Sequence, residues 1–126
     1  MTALFQSYRL NNGVELKNRL VVAPMTHFGS NPDGTFSAQE NAFLQGRAEG
    51  FAMFISAATL VSREGKAFNG QPYALDERYL DSLKSVAQNI KSQGAKAILQ
   101  IHHGGKLAMS ELLEGFDKVA PSADEA

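Results

Sequence analysis

Apolar and polar positions along this chain fall into short blocks whose period changes. Leu20-Val21-Val22 is an apolar run without polar alternation, the pattern of a strand covered on both faces in a parallel sheet. Pro24 has no donor for a ladder and pushes Ala23 to an extended conformation, so Met25 and Thr26 open a loop at that strand's carboxyl end. Residues 51–58 form a second continuous apolar run, read as a strand. Leu80, Leu83, Val86, Ala87 and Ile90 recur at three- and four-residue steps, which is one face of a helix stopped by Gly94. Ala97-Ile98-Leu99-Gln100-Ile101 is a third short buried strand, running into His102-His103-Gly104-Gly105-Lys106.

The intervening segments supply starts and stops. Tyr8-Arg9-Leu10 and Val14-Glu15-Leu16 flank Asn11-Asn12-Gly13. An Asn-Gly pair tolerates positive φ at both positions, so a hairpin is predicted over about residues 8–16. Residues 28–34 are dense in turn formers. Ser37-Ala38-Gln39-Glu40 matches a capping box and predicts a helix from about residue 38 to 49, with Phe43 and Leu44 inward and Gly50 at C′. A loop over residues 62–73 precedes the second helix, whose N-cap is Asp76. The order hairpin, β, α, β, α, β predicts an α/β fold with parallel strands and right-handed crossovers.

Composition narrows the function classes. At 126 residues, with 44% hydrophobic and 20% charged, the chain suits one soluble globular domain. A net charge of −1 without a Lys/Arg cluster speaks against nucleic acid and anionic membrane as partners. There is no cysteine, hence no disulfide, thiolate metal site or cysteine nucleophile, and a reducing cytoplasmic setting is expected. No signal peptide is evident in the first residues. The longest apolar stretch, residues 51–61, is broken by Ser56 and Thr59 and falls short of the ~18 residues of a membrane span.

The predicted strand ends place Pro24-Met25-Thr26, Ala57-Ala58-Thr59 and Gln100-Ile101-His102-His103 on one rim. This inventory of backbone amides, a hydroxyl, a carboxamide and imidazoles, without a carboxylate, suits gripping a planar heterocycle better than hydrolysis. Gln100 inside an apolar strand needs partners for both its donor and its acceptor, from neighbouring backbone or from a ligand. A zinc site built on His27, His102 and His103 is disfavoured, because adjacent histidines on extended backbone point to opposite sides and no acidic ligand is near in sequence; no metal is expected. Gly104-Gly105-Lys106 lacks the full spacing of a phosphate-binding loop.

The block Leu16-Lys17-Asn18-Arg19-Leu20-Val21-Val22-Ala23-Pro24-Met25-Thr26, with Gln100-Ile101-His102-His103-Gly104-Gly105 and Ala120-Pro121-Ser122, resembles the Old Yellow Enzyme family of NAD(P)H:flavin oxidoreductases, and the similarity spans nearly the whole chain. The resemblance implies that residues 1–126 are the N-terminal portion of an FMN-binding (β/α)₈ TIM barrel, with the hairpin closing the end opposite the cofactor. It implies that Pro24, Met25, Thr26, Ala58 and Gln100 contact FMN, that His27, Phe28 and His103 lie on the substrate side, and that NADH or NADPH reduces the flavin before hydride passes to an activated alkene or similar small-molecule acceptor. Lys106 stands where many relatives carry arginine, and Phe28 where some carry tyrosine. A full barrel runs to ~250 residues, so the chain is expected to be truncated. The paired substrate-binding residues and the proton-donating tyrosine have no counterpart here, and no catalytic residue is assigned within the chain. The expectation is therefore a partial site, in a chain that self-associates or joins the missing barrel portion. The alternative is a non-catalytic assembly piece.

Overall fold

The hairpin forms where the Asn-Gly signal puts it, with a different turn. In the computed structural model, which describes residues 2–123, β1 (Tyr8–Arg9) pairs antiparallel with β2 (Glu15–Leu16), Tyr8 opposite Leu16. Of the Asn-Gly pair only Gly13 takes positive φ, +87°. Its N–H donates to the Leu10 carbonyl at 2.8 Å, and Asn12 Oδ1 accepts the Val14 N–H at 3.2 Å. An ordinary turn followed by one left-handed glycine matches the strand twist without straining Asn12. Asn18 Nδ2 donates to the Gly50 carbonyl at 2.7 Å, which ties the hairpin to the amino ends of the strands that follow.

Those strands and helices are β3 (Val21–Val22), α1 (Ala38–Leu44), β4 (Met53–Ile55), β5 (Thr59–Leu60), α2 (Leu80–Ser92), β6 (Lys96–Ile98) and β7 (Ile101–His102). The main sheet has the order β3-β4-β6, all parallel, with Val22 beside Phe54 and Phe54 beside Ala97. β5 and β7 form a second parallel pair, Thr59 beside Ile101 and Leu60 beside His102. Each long apolar run is thus two strands, not one. The cause is Ser56: its hydroxyl accepts the Gln100 N–H at 3.0 Å and donates to the Ala57 carbonyl at 3.0 Å. A side chain stands where a ladder carbonyl would be, and the chain bends before Thr59 N–H rejoins the Gln100 carbonyl at 2.9 Å.

One sheet face is covered. Val22, Phe54 and Ala97 pack under Leu44, Val86 and Ile90 of the two helices, together with Phe36. The other face, carrying Val21 (39% exposed) and Ile98 (42%), is open, and this corrects the expectation of strands covered on both sides. Two adjacent β-strand residues point to opposite faces, and α1 and α2 both lie on one.

The capping box is present: Ser37 Oγ accepts the Glu40 N–H at 3.1 Å and Glu40 Oε2 accepts the Ser37 N–H at 2.9 Å. The helix, however, ends at Leu44, not near residue 49, because Gln45 turns extended and Gly46 takes φ +77°. Leu44 is buried as expected. Phe43 is not inward; it lies on the surface under the Arg47 guanidinium, 3.9 Å from the ring centroid. Asp76 does cap, through Oδ1 accepting the Arg78 N–H at 3.0 Å, but the turn it starts is a 3₁₀ turn at Glu77–Tyr79 that leads into α2. On α2, Val86 and Ile90 are buried while Leu80 remains exposed. Gly94 ends it with φ +84°.

Candidate functional site

The parallel order β3-β4-β6 brings the predicted site residues to one rim. Pro24, Met25 and Thr26 follow β3, Ala58 follows β4, and Gln100 follows β6. Ala58 and Gln100 are directly adjacent, since Thr59 N–H bonds the Gln100 carbonyl. The hydrogen-bonding capacity left over there is specific. Among the described residues, the N–H groups of Met25, Thr26 and Ala58, the Thr26 hydroxyl and the Gln100 carboxamide make no hydrogen bond within the protein. The Gln100 backbone is fully used in joining the strands while its side chain is kept for something else. Thr59, expected on the same rim, is fully buried, and its hydroxyl donates to the Ala57 carbonyl at 2.9 Å. It props the bend from behind and presents nothing to the rim.

The loop after β3 carries two aromatic groups in opposite directions. Phe28 has φ +56°, a conformation bulky residues avoid. It is held there because its carbonyl packs where a Cβ on Gly70 would be, and Ser30 N–H bonds the Gly70 carbonyl at 3.2 Å. Its ring is 66% exposed and meets Phe68 edge-on at 5.1 Å. His27 turns the other way, onto α1: it stacks edge-on with Phe43 at 5.1 Å and places Nδ1 3.5 Å from Glu40 Oε1. Glu40 also accepts the Ser30 hydroxyl at 2.9 Å. Met25, Thr26, His27 and Glu40 together line an open recess of about 410 Å³.

The two histidines at the end of β7 are separated as the extended backbone dictates. His102 Nδ1 lies 3.1 Å from Gln71 Nε2, whereas His103 packs over Gly65, 3.9 Å from Glu64 through Nε2, and accepts the Gly105 N–H at Nδ1. Glu64 titrates below the usual carboxylate range, chiefly because the Ser62 hydroxyl donates to it, with His103 adding a smaller effect. Among the described residues no three His, Asp or Glu side chains converge on a metal-sized space. Sequence reasoning missed Glu40 as more than a cap and missed Gln71 altogether. Glu40 carries a legible signal, the spacing Ser37-x-x-Glu40. Gln71 has none, lying in a segment read as loop.

Residues 3–126 match the model of the NADH:flavin oxidoreductase / NADH oxidase family. A probable NADH-dependent flavin oxidoreductase of Bacillus subtilis is 46% identical over 119 residues, covering 94% of this chain and 32% of that protein. Among solved structures, Old Yellow Enzyme from a Pichia species superposes with a TM-score of 0.87 at 27% identity, over 97% of this chain and 32% of that one. Morphinone reductase in complex with tetrahydroNAD gives 0.85 at 26% identity, over all of this chain and 34% of that one. The chain thus spans about a third of each of these proteins, and its parallel strands and helices are part of the barrel they share. By sequence and by fold, the chain belongs to the NADH:flavin oxidoreductase / NADH oxidase family.

Proposed function

We propose that residues 1–126 form the N-terminal portion of an FMN-binding barrel and supply one side of its cofactor site, in an ene-reductase-type enzyme that draws on NADH or NADPH. The observation that carries this is the unspent hydrogen-bonding capacity on the rim: three free backbone N–H groups, one hydroxyl and one carboxamide on adjacent strand ends. A flavin ring edge, with alternating carbonyl and nitrogen groups, is a partner of that chemistry. In this reading Pro24, Met25 and Thr26 line the ring, Ala58 offers its N–H, and Gln100 bonds through both ends of its amide. FMN, when bound, would supply hydride transfer between reduced nicotinamide and an acceptor. The chain's own part is to orient the ring and to stabilise negative charge on it with donors fixed in advance, the Thr26 hydroxyl among them. In this reading Phe28 and His103 stand on the substrate side, with Phe28 and Phe68 forming an apolar wall for an activated alkene or similar small molecule, whereas His27, expected there too, turns its ring onto α1 against Phe43 and braces the loop from behind. Catalytic proton donation is assigned to no residue of this chain.

The compartment in this reading is the cytoplasm, where reduced nicotinamide is supplied. The partner besides the small molecule is polypeptide, from a second copy or from the remainder of the barrel, lying on the open strand edge. That open edge also favours a second reading, in which the chain is a non-catalytic assembly piece. Titrating FMN into the chain and following quenching of flavin fluorescence separates the two. Saturable binding, weakened about tenfold by Gln100→Ala for the loss of ~1.4 kcal/mol of hydrogen bonding, supports a cofactor rim. Absence of saturable binding counts for the assembly piece.

A further inference from the structure

Gln71 lies between β5 and α2, in a segment that the sequence reads as loop, yet it is only 1% exposed. Its amide orientation is fixed by the backbone: Ala67 N–H donates to Oε1 at 3.1 Å, and only an oxygen can accept there. The amide nitrogen therefore faces the other way. It donates to the Ala58 carbonyl at 3.4 Å and lies 3.1 Å from His102 Nδ1. A donor at that distance requires a bare ring nitrogen. His102 Nδ1 is accordingly the acceptor and the ring hydrogen sits on Nε2; an imidazolium, with hydrogen on both nitrogens, does not fit this arrangement. His102 Nε2 has no protein partner among the described residues. Because His27 Nδ1 is the one buried side-chain polar atom among them left without a bond, His102 Nε2 must reach solvent.

We propose that Gln71 is a positioning residue: it holds the Ala58 carbonyl and fixes His102 as a neutral Nε2–H donor for a carbonyl oxygen of the molecule bound on the strand rim. A neutral N–H suits an uncharged carbonyl, whereas anion sites draw their strength from charged donors. The same amide ties the backbone at Ala67 to the rim, beside Phe68, whose ring stands 6.3 Å from His102. The ligand contact rests on the proposed flavin rim; the tautomer does not.

The test uses the chain labelled with ¹⁵N-histidine, at neutral pH, with His102 assigned by comparison with His102→Asn. Long-range proton–nitrogen spectra are expected to show the Nε2–H pattern at His102. Gln71→Glu replaces the donor with an acceptor and is expected to move His102 to the Nδ1–H or doubly protonated pattern. His103, whose Nδ1 accepts a backbone N–H, is expected to stay as it is. An Nδ1–H or doubly protonated His102 in the unaltered chain, or an unchanged His102 in Gln71→Glu, overturns the proposal. Should the variant not fold, the spectrum of the unaltered chain still decides. FMN is then added. A shifted His102 Nε2–H resonance that saturates with FMN supports the contact, and saturable binding with that resonance unmoved overturns it. Lack of any FMN binding counts against the proposed function and the contact alike, while the tautomer result stands on its own spectra.

Discussion

Glu40 is the residue on which the loop after β3 depends. It is buried and accepts from the Ser30 hydroxyl and the Ser37 N–H, with His27 Nδ1 3.5 Å away. Removing it strands the Ser30 hydroxyl and the Ser37 N–H and takes the carboxylate from beside His27, so Glu40→Ala is expected to cost about 3 kcal/mol in urea unfolding, and Glu40→Gln, which keeps the shape and one acceptor, less than half of that. A loss below 1 kcal/mol for the alanine variant would mean the loop is held elsewhere. Asp76 gives a prediction with a pH sign. Its carboxyl is held at about 2, first by the Arg78 guanidinium and then by the Arg78 N–H, against an ordinary 3.8. A lowered folded value means that the ionised form's contribution is present in full above the ordinary value and is lost as pH falls toward the folded one. Melting temperatures of the unaltered chain and Asp76→Asn should therefore differ at neutral pH and converge between about pH 4 and pH 2. The side chain is exposed, so the difference is expected to be small.

At the scale of elements, the two helices are held by a shared apolar core and by amides that bridge them. Ile90 is almost wholly buried beside Leu44 and Phe54, and Ile90→Ala is expected to cost about 2–4 kcal/mol with an unchanged urea m-value. Gln93 bonds the Ala48 N–H at 2.8 Å and the Leu44 carbonyl at 3.0 Å, while Asn89 reaches the Asn41 carbonyl at 2.8 Å. The helix face of Val86 and Ile90, the capping box and the hairpin were legible because each is a local spacing with a local cause. The early end of α1 was not, because Gln45 and Gly46 leave the helix to bring Ala48 to Gln93, a tie 45 residues apart in sequence. The same holds at the rim. Pro24 and the apolar runs announced which strand ends would meet, since strand order follows from β-α alternation. The bend at Ser56 and the burial of Gln71 are made by bonds across 44 and 31 residues, and no periodicity encodes them. The position of Phe28 belongs to the same class, its left-handed backbone fitting only because residue 70 is glycine.

For the molecule as a whole, the two faces of the sheet make opposite demands. Helices cover Val22, Phe54 and Ala97, but Val21 and Ile98 stand open on the other face, and Ile101 of β7 is 68% exposed. On the helix side, Leu80, Leu83, Ala87 and Leu99 border a further apolar groove of about 320 Å³. β6 has a partner on one side only, so its outer edge offers unpaired backbone groups beside these side chains. An apolar surface of this kind, next to an open parallel edge, is a template for association. The 126-residue chain on its own is therefore expected to bind a hydrophobic dye and to sediment as oligomers whose size grows with concentration. Ile101→Lys should lower both effects without unfolding the chain, since the side chain it replaces is already mostly in water. A dye-silent monomer at high concentration, with a cooperative melt, would show that the open face is tolerated and that the rim needs no covering polypeptide to stay in place. If the lysine variant instead abolishes FMN quenching while leaving the melt unchanged, the strand edge and the cofactor rim are coupled, and polypeptide laid along β6 and β7 becomes part of the site.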